Sequence, residues 1–437
     1  MEEEKIKPDI VKGMHDRMPE EMRKREKVIG SIKSIFELSG FLPIETPAIE
    51  YWDVLSGKNR YGDEEKLIYH FKDRKGRDVG LRFDFTIPLS RVVAMHPDIP
   101  IPFKRYQIQP VWRGDAPQYG RFREFYQCDV DIVGAQSMLA EAEILSITYE
   151  VFKTLGFKDF KIKINNRKIL QSLCEYSGIP QELEFNVYRA MDKHERIGTD
   201  GVAEKLQLNG VSRDACEKLV GLLEDCKTLK SLERTISGNE GIQELASLFD
   251  YLKDFNINRK FFSFDPWLAR GLDYYTGPIF ETVVPRPKIG SLAGGGRFDN
   301  LIGVFLEKPI PAVGITIGLE RIMIAIKELN LISIDKLSTR ILVAQFDESH
   351  STPAIIVAKK LRDANIPTEI YPDFVKLSKQ FKYADKQKIP YVIVVGPDEM
   401  RAQKVTIKNM RTGKQQEMKM DKLPTWARKL SVKPNDD

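Results

Sequence analysis

The chain has 437 residues, 42% of them hydrophobic and 30% charged, with a formal net charge of +5. That composition supports ordinary buried cores and excludes a disordered chain, and at roughly 150 residues per domain the length suggests about three domains. No apolar run approaches the ~18 residues of a membrane helix or resembles a signal-peptide core, so no membrane partner is expected.

The opening Met1-Glu2-Glu3-Glu4-Lys5 is acidic, which argues against a mitochondrial presequence. The expected location is cytoplasmic, with an additional mitochondrial pool left open. The first strong helix is predicted from about Glu20 to Ser39: Val28, Ile32, Ile35 and Phe36 recur at helical spacing, and Gly40 stops it. Residues 41–47, with Pro43 and Pro47, read as an extended edge strand. Residues 79–87 alternate, with Val79, Leu81, Phe83 and Phe85 facing one way and Arg82, Asp84 and Thr86 the other. A strand from Tyr106 to Arg113, interrupted by Pro110 at an edge or bulge, leads through a hairpin loop at 114–120 to a second alternation over 121–131. Its one face carries Arg121, Arg123, Phe125, Gln127, Asp129 and Asp131, and so polar a row suits the floor of a site as well as a solvated surface.

From about Arg167 to Phe262 the pattern is charged and mainly helical. After a polar link at about 327–338 the order is strand, helix, helix, strand (341–344, a helix around 354–361, about 375–387, and 391–395), which predicts a small α/β domain. Residues 338–437 hold 19 Lys+Arg against 12 Asp+Glu, whereas the rest of the chain holds 49 against 51. That local basic excess suits a polyanion such as nucleic acid, or solubility alone.

Cys128, Cys174, Cys216 and Cys226 form no CxxC pair and the five histidines show no ligand spacing, so neither a disulfide scaffold nor a resident metal is expected. Gly294-Gly295-Gly296 is neither a dinucleotide fingerprint nor a P-loop, although three glycines let a small ligand approach the backbone. Arg113, Arg121, Arg123, Arg270 and Arg321 stand in strand-like or glycine-flanked contexts. Any one of them alone reads first as a surface ion pair. Together, among acidic and amide groups, they suggest a nucleoside triphosphate site, because guanidinium forks match phosphate oxygens.

Arg270-Gly271-Leu272-Asp273-Tyr274-Tyr275 and Ala293-Gly294-Gly295-Gly296-Arg297-Phe298-Asp299 resemble the two histidine-specific signatures of the histidyl-tRNA synthetase family, within the class II aminoacyl-tRNA synthetases. Leu81–Thr86 and Gly120–Asp129 resemble its eukaryotic and archaeal branch. The resemblance runs from Lys12-Gly13 to the C-terminal domain. It implies an α+β fold: a class II catalytic domain on an antiparallel sheet of six or seven strands, a mainly helical insertion and a C-terminal α/β anticodon-binding domain. The expected boundaries are 1–166 and 263–327 for the catalytic domain, 167–262 for the insertion, 328–337 for a linker and 338–437 for the anticodon-binding domain.

The first helix and the strand ending at Pro47 are similar to motif 1, which implies a homodimer. The resemblance assigns ATP, with Mg²⁺ on its phosphates, to Arg113, Asp115, Arg121, Arg123, Phe125 and Arg321. Arg113 and Arg270 would hold the α-phosphate and act in catalysis. It places the α-amino group of L-histidine at Asp84, Thr86 and Gln127 and the imidazole between Asp131 and Tyr275, with Tyr274 and Gly295 in the same pocket. A neutral imidazole offers one donor and one acceptor, which a carboxylate and a phenol can read together. Histidine tRNA is the implied macromolecular partner. Lys376, Lys379, Lys382 and Lys386 form a stripe that suits its phosphates or plain solvation. A synthetase-like regulatory paralogue without charging activity, and an RNA-binding module without catalysis, are the competing readings.

Overall fold

The computed structural model describes residues 6–57, 66–270, 274–306, 308–332 and 339–431. They divide into two compact units at 333/334. In the first, α1 (Pro19–Leu38) buries Val28, Ile32 and Phe36 completely; full burial of such side chains contributes about 1.5–3 kcal/mol each. β1 (Leu42–Pro43), β2 (Ile49–Tyr51) and α2 (Trp52–Ser56) follow. β3 (His70–Lys72) and β4 (Asp78–Leu81) pair with β2 in the order β2-β4-β3.

The alternation expected over 79–87 therefore ends at Leu81. Arg82 is buried, its Nε and Nη2 donating to the carbonyl of Pro110 at 3.1 and 3.0 Å, and Thr86 opens α3 (Thr86–Met95). Asp84 Oδ1 accepts from the backbone N of Ile87 at 3.3 Å and so satisfies an amide that the first helical turn would leave free. β5 (Phe103–Trp112) and β6 (Glu124–Val133) form an antiparallel hairpin whose ladder closes at Trp112 opposite Glu124. Arg121 and Arg123 consequently lie in the connecting loop and not on a strand. Pro110 sits where β1, paired with β5 only at Arg105 and Tyr106, leaves that edge open, so its missing N–H is not needed.

α4 (Leu139–Thr154) and β7 (Lys161–Asn166) precede a helical excursion: α5 (Arg167–Ser177), α6 (Glu184–Met191), α7 (His194–Leu208), α8 (Arg213–Asp225), α9 (Leu229–Thr235) and α10 (Glu240–Asp254). The chain returns through β8 (Phe262–Phe264), β9 (Pro278–Val283), β10 (Ala293–Arg297), β11 (Ala312–Gly318) and α11 (Leu319–Glu328). Among the described residues the main sheet has eight strands in the order β1-β5-β6-β11-β10-β9-β7-β8. It is wider than the expected six or seven. The inner neighbours are antiparallel, whereas β1–β5 and β7–β8 are parallel. The helical excursion explains one of these: a long helical connection can bring a strand back parallel, which a tight hairpin cannot. α1 and α4 cover one face of the sheet, where Tyr106, Cys128, Val130 and Ile132 meet Phe36, Ile144 and Ile147.

The second unit contains β12 (Ile341–Gln345), α12 (Ser351–Asp363), β13 (Thr368–Ile370), α13 (Leu377–Lys386), β14 (Tyr391–Val395), α14 (Pro397–Arg401), β15 (Lys404–Asn409), β16 (Gln415–Lys419) and α15 (Leu423–Ser431). Its sheet runs β13-β12-β14-β15-β16, and the short β13, half-buried along its length, escaped the sequence pattern. Among the described residues no helix is long and apolar enough to cross a membrane.

Candidate active site

The uncovered face of the main sheet begins with a polar ladder. Arg105 stands opposite Asp131, Gln107 opposite Asp129 and Gln109 opposite Gln127, while across β6 the partners are Gly314, Thr316 and Gly318. Strand alternation puts all of these on one side. Arg105 Nη2 lies 2.7 Å from Asp131 Oδ2. Gln107 Nε2 donates to Thr46 Oγ1 at 2.9 Å and to Gln109 Oε1 at 2.6 Å, and Gln127 Nε2 donates to Thr316 Oγ1 at 3.2 Å. Asp84 Oδ2, Gln127 Oε1 and Asp129 Oδ1 are buried without a hydrogen-bond partner among the described residues. Each such atom costs ~1–3 kcal/mol until a ligand satisfies it. Burial pushes the Asp84 carboxyl up to about 6 against the pull of Arg113. It raises Asp131 to about 6 as well, with Arg105 opposing and Asp84 reinforcing. Asp129 is raised by the same burial.

Glycines lower the floor so that functional groups can lie on it. A Cβ on Gly294 would sit 1.4 Å from Arg270 Nη1, one on Gly296 2.9 Å from Tyr275 Cδ1, and one on Gly314 1.9 Å from Asp131 Oδ1. Gly295 lines the same cavity. Arg297, at the end of the glycine run, reaches the other face instead, where its Nε donates to Glu141 Oε1 of α4 at 2.5 Å.

Four guanidinium groups converge above this floor. Arg113, just past β5, donates from Nε to the carbonyl of Phe83 at 2.9 Å and lies 5.3 Å over the Phe125 ring. Arg321, in the first turn of α11, donates to the carbonyls of Gly120 and Ser291 at 3.1 and 2.7 Å. Arg270 adopts φ +39° and places Nη1 3.4 Å from the Phe280 carbonyl and 3.9 Å from Glu281 Oε1. Its own carbonyl accepts from Arg167 Nη2 at 2.7 Å. Arg121, the most exposed of the four, lies 3.4 Å from Asp115 Oδ1. Burial holds the Arg321 guanidinium below its usual value, and Arg121, Arg270 and Arg113 push it the same way while Glu281 opposes them. Like charges gathered in this way fit a polyanion with several oxygens to share among them.

Arg123, expected among the ATP-binding residues, is not among the residues lining the cavity. Its Nε donates to the Asp115 carbonyl at 3.1 Å and its Nη1 to the Lys12 carbonyl at 3.3 Å, while its backbone N donates to the Gly13 carbonyl at 2.8 Å. It fastens the 114–120 loop to the N-terminal segment. Gly13 accommodates this at φ +87°, where a Cβ would meet Arg123 Cγ at 2.9 Å.

The cavity measures about 1440 Å³ and is also lined by Thr86, Asp115 and Tyr274. That exceeds the ~300–1,000 Å³ of a site for one small molecule and leaves room for a nucleotide beside an amino acid. One wall, from Met191 to Arg196, comes from the helical excursion. There the His194 ring stacks on Trp267 at 3.9 Å and 8°, and Lys163 Nζ lies 2.6 Å from Glu195 and 3.1 Å from Asp265. No local motif announces that wall, since only tertiary packing brings it to the site. Arg105 and Asp129, by contrast, had a signal: Arg105, Gln107 and Gln109 repeat the polar alternation of the neighbouring strand. Within the signature at 270–275, Gly271, Leu272 and Asp273 lie outside the described residues, as do residues 333–337 of the expected linker. Lys376, Lys379 and Lys382 belong to the second unit and are exposed at the start of α13, whose Leu377, Phe381 and Ala384 face its core. Among the described residues no group of three His, Cys, Asp or Glu side chains is arranged to hold a metal ion.

The family model described as histidyl-tRNA synthetase matches residues 13–322, and the model described as anticodon binding domain matches residues 334–430. A histidine–tRNA ligase of Clostridium tetani is 42% identical, with 96% of this chain and 98% of the relative covered. One from Christiangramia forsetii is 40% identical, with 94% and 96% covered. The solved structure of histidyl-tRNA synthetase from Nostoc superposes with a TM-score of 0.81 at 30% identity, covering 98% of this chain and 100% of that one. These relatives are bacterial, so the eukaryotic and archaeal kinship expected from residues 81–86 and 120–129 gains no support from them. Matched along almost its whole length, the chain belongs to the histidyl-tRNA synthetase family.

Proposed function

We propose that this protein activates L-histidine with ATP and transfers it to the 3′ end of histidine tRNA. One observation carries the reading: a single cavity joins four guanidinium groups to a cradle of Asp84, Gln127, Asp131 and Tyr275. Likeness over 96% of the chain to a protein named histidine–tRNA ligase favours charging over a regulatory role.

ATP lies with its adenine on Phe125 and its phosphates among Arg113, Arg121 and Arg321, with Asp115 orienting Arg121. Mg²⁺ carried by those phosphates would supply further charge neutralisation. Asp84, Thr86 and Gln127 take the α-ammonium of histidine, and Asp131 and Tyr275 read the two imidazole nitrogens, with Tyr274 and Gly295 completing the pocket. The histidine carboxylate attacks the α-phosphorus, the bond to the β-phosphate oxygen breaks, and pyrophosphate leaves with that oxygen's charge. A ribose hydroxyl of the tRNA terminus then attacks the acyl carbon and releases AMP. No protein nucleophile is required. Arg113 and Arg270 act by holding the α-phosphate as charge spreads over it, so catalysis is positioning and electrostatic stabilisation.

The second unit binds the anticodon arm, with Lys376, Lys379 and Lys382 on RNA phosphates, and the protein works as a cytoplasmic homodimer. Arg270→Ala and Arg113→Ala are each expected to lower histidine-dependent ATP–pyrophosphate exchange at least ~10²-fold, the usual effect of losing one transition-state donor. Near-normal exchange in either variant would remove that role.

A further inference from the structure

We propose that Asp129 is a positioning residue for histidine capture, acting through Thr316 to hold the Gln127 amide with its carbonyl toward the substrate ammonium. The inference rests on the function proposed above and concerns a carboxylate beside the Arg105–Asp131 pair, where Arg105 favours its charge and Asp131 opposes it.

The argument is one of hydrogen-bond polarity. Thr316 stands between two residues of β6, paired directly with Asp129 and diagonally with Gln127. Its Oγ1 accepts from Gln127 Nε2 at 3.2 Å. A hydroxyl has a single proton, so the proton of Thr316 is free for Asp129, whose carboxylate it stabilises. With the substrate ammonium beside it to offset the burial that raises Asp129, the carboxylate is ionised and only accepts, which fixes the direction of the whole chain: Gln127 donates to Thr316 and Thr316 donates to Asp129. The consequence is visible at the other end. Gln127 Oε1, on a side chain only 5% exposed, faces the cavity with no partner among the described residues. That atom is the acceptor an ammonium needs.

Without the carboxylate the polarity is lost. Thr316 could then donate to Gln127 Oε1, the amide would turn over, and its two N–H donors would confront a cationic group. Asp129 itself is 2% exposed and keeps Oδ1 unpaired, so burial works against its charge and the substrate ammonium works for it.

The test uses the full-length chain, with histidine affinity measured by calorimetry and the KM for each substrate by pyrophosphate exchange. Thr316→Val keeps shape and removes the relay. It should weaken histidine binding about tenfold or more, the scale of a hydrogen bond to a charged group, with the KM for ATP unchanged. Thr316→Ser should restore binding. Asp129→Asn should produce a loss similar to that of Thr316→Val, and the double variant should be no worse than either single one, since both break one chain. If Asp129→Asn fails to fold, the Thr316→Val and Thr316→Ser pair decides alone. Wild-type affinity in Thr316→Val, a parallel rise in both KM values, or multiplying effects in the double variant would overturn the proposal. Absence of histidine-dependent exchange in the wild-type chain would instead refute the function on which it rests.

Discussion

Arg270 occupies space that any side chain at position 294 would need. The Cβ of an alanine there would fall 1.4 Å from Arg270 Nη1, against a side chain and not against backbone. Gly294→Ala should therefore move the guanidinium while leaving the sheet intact. The expected outcome is a loss of pyrophosphate exchange comparable to that of Arg270→Ala, on the order of 10²-fold, with circular dichroism and thermal midpoint close to wild type. Wild-type exchange would mean that Arg270 does not work from that place. Residues like these were legible in the sequence because glycines and arginines in polar strands have few structural reasons to cluster. Arg105 was not picked out, since its importance comes from standing opposite Asp131, and register between strands is not written in either strand alone. Arg123 shared the alternation of its neighbours, yet the ladder closes at Glu124 and the side chain turns to backbone carbonyls.

Among the elements, α1, β6 and α11 are tied by a single buried carboxylate. Glu320 Oε1 accepts from Arg25 Nη2 at 2.8 Å and from Arg17 Nη2 at 3.1 Å, and its Oε2 accepts from the backbone N of Tyr126 at 2.9 Å. Arg25 is 1% exposed, so removing its partner would strand a charge away from water. Glu320→Ala should cost about 3–5 kcal/mol of stability, read as a lowered midpoint in denaturant unfolding. An unchanged midpoint would show that the tie is not structural. Glu21→Ala, which removes the exposed Arg17–Glu21 pair, should stay within about 1 kcal/mol. α1 could be read in advance because Val28, Ile32 and Phe36 mark one helical face. The segment 79–87 could not, because its apolar alternation runs on past Leu81 while Asp84 accepts from the Ile87 amide in the first turn of the helix that begins at Thr86. The helical pattern of 167–262 gave the element type but not the wall it lends to the cavity.

For the molecule as a whole, two compact units meet the two halves of the proposed reaction. The larger contains the entire cavity, and the smaller carries the basic excess and the lysines of α13. Removal of residues 338–437 should therefore impair tRNA charging far more than adenylate formation, assayed side by side. Equal loss of both would contradict that division of labour. Selectivity for the amino acid follows from the cradle. A side chain lacking both imidazole nitrogens would forgo the hydrogen bonds that buried Asp131 and the phenol of Tyr275 are proposed to make with them, at ~1–3 kcal/mol for each one lost. The most direct test is ATP–pyrophosphate exchange with each proteinogenic amino acid in turn: the geometry predicts exchange with histidine alone, and exchange supported equally well by another amino acid, or by none, would contradict it.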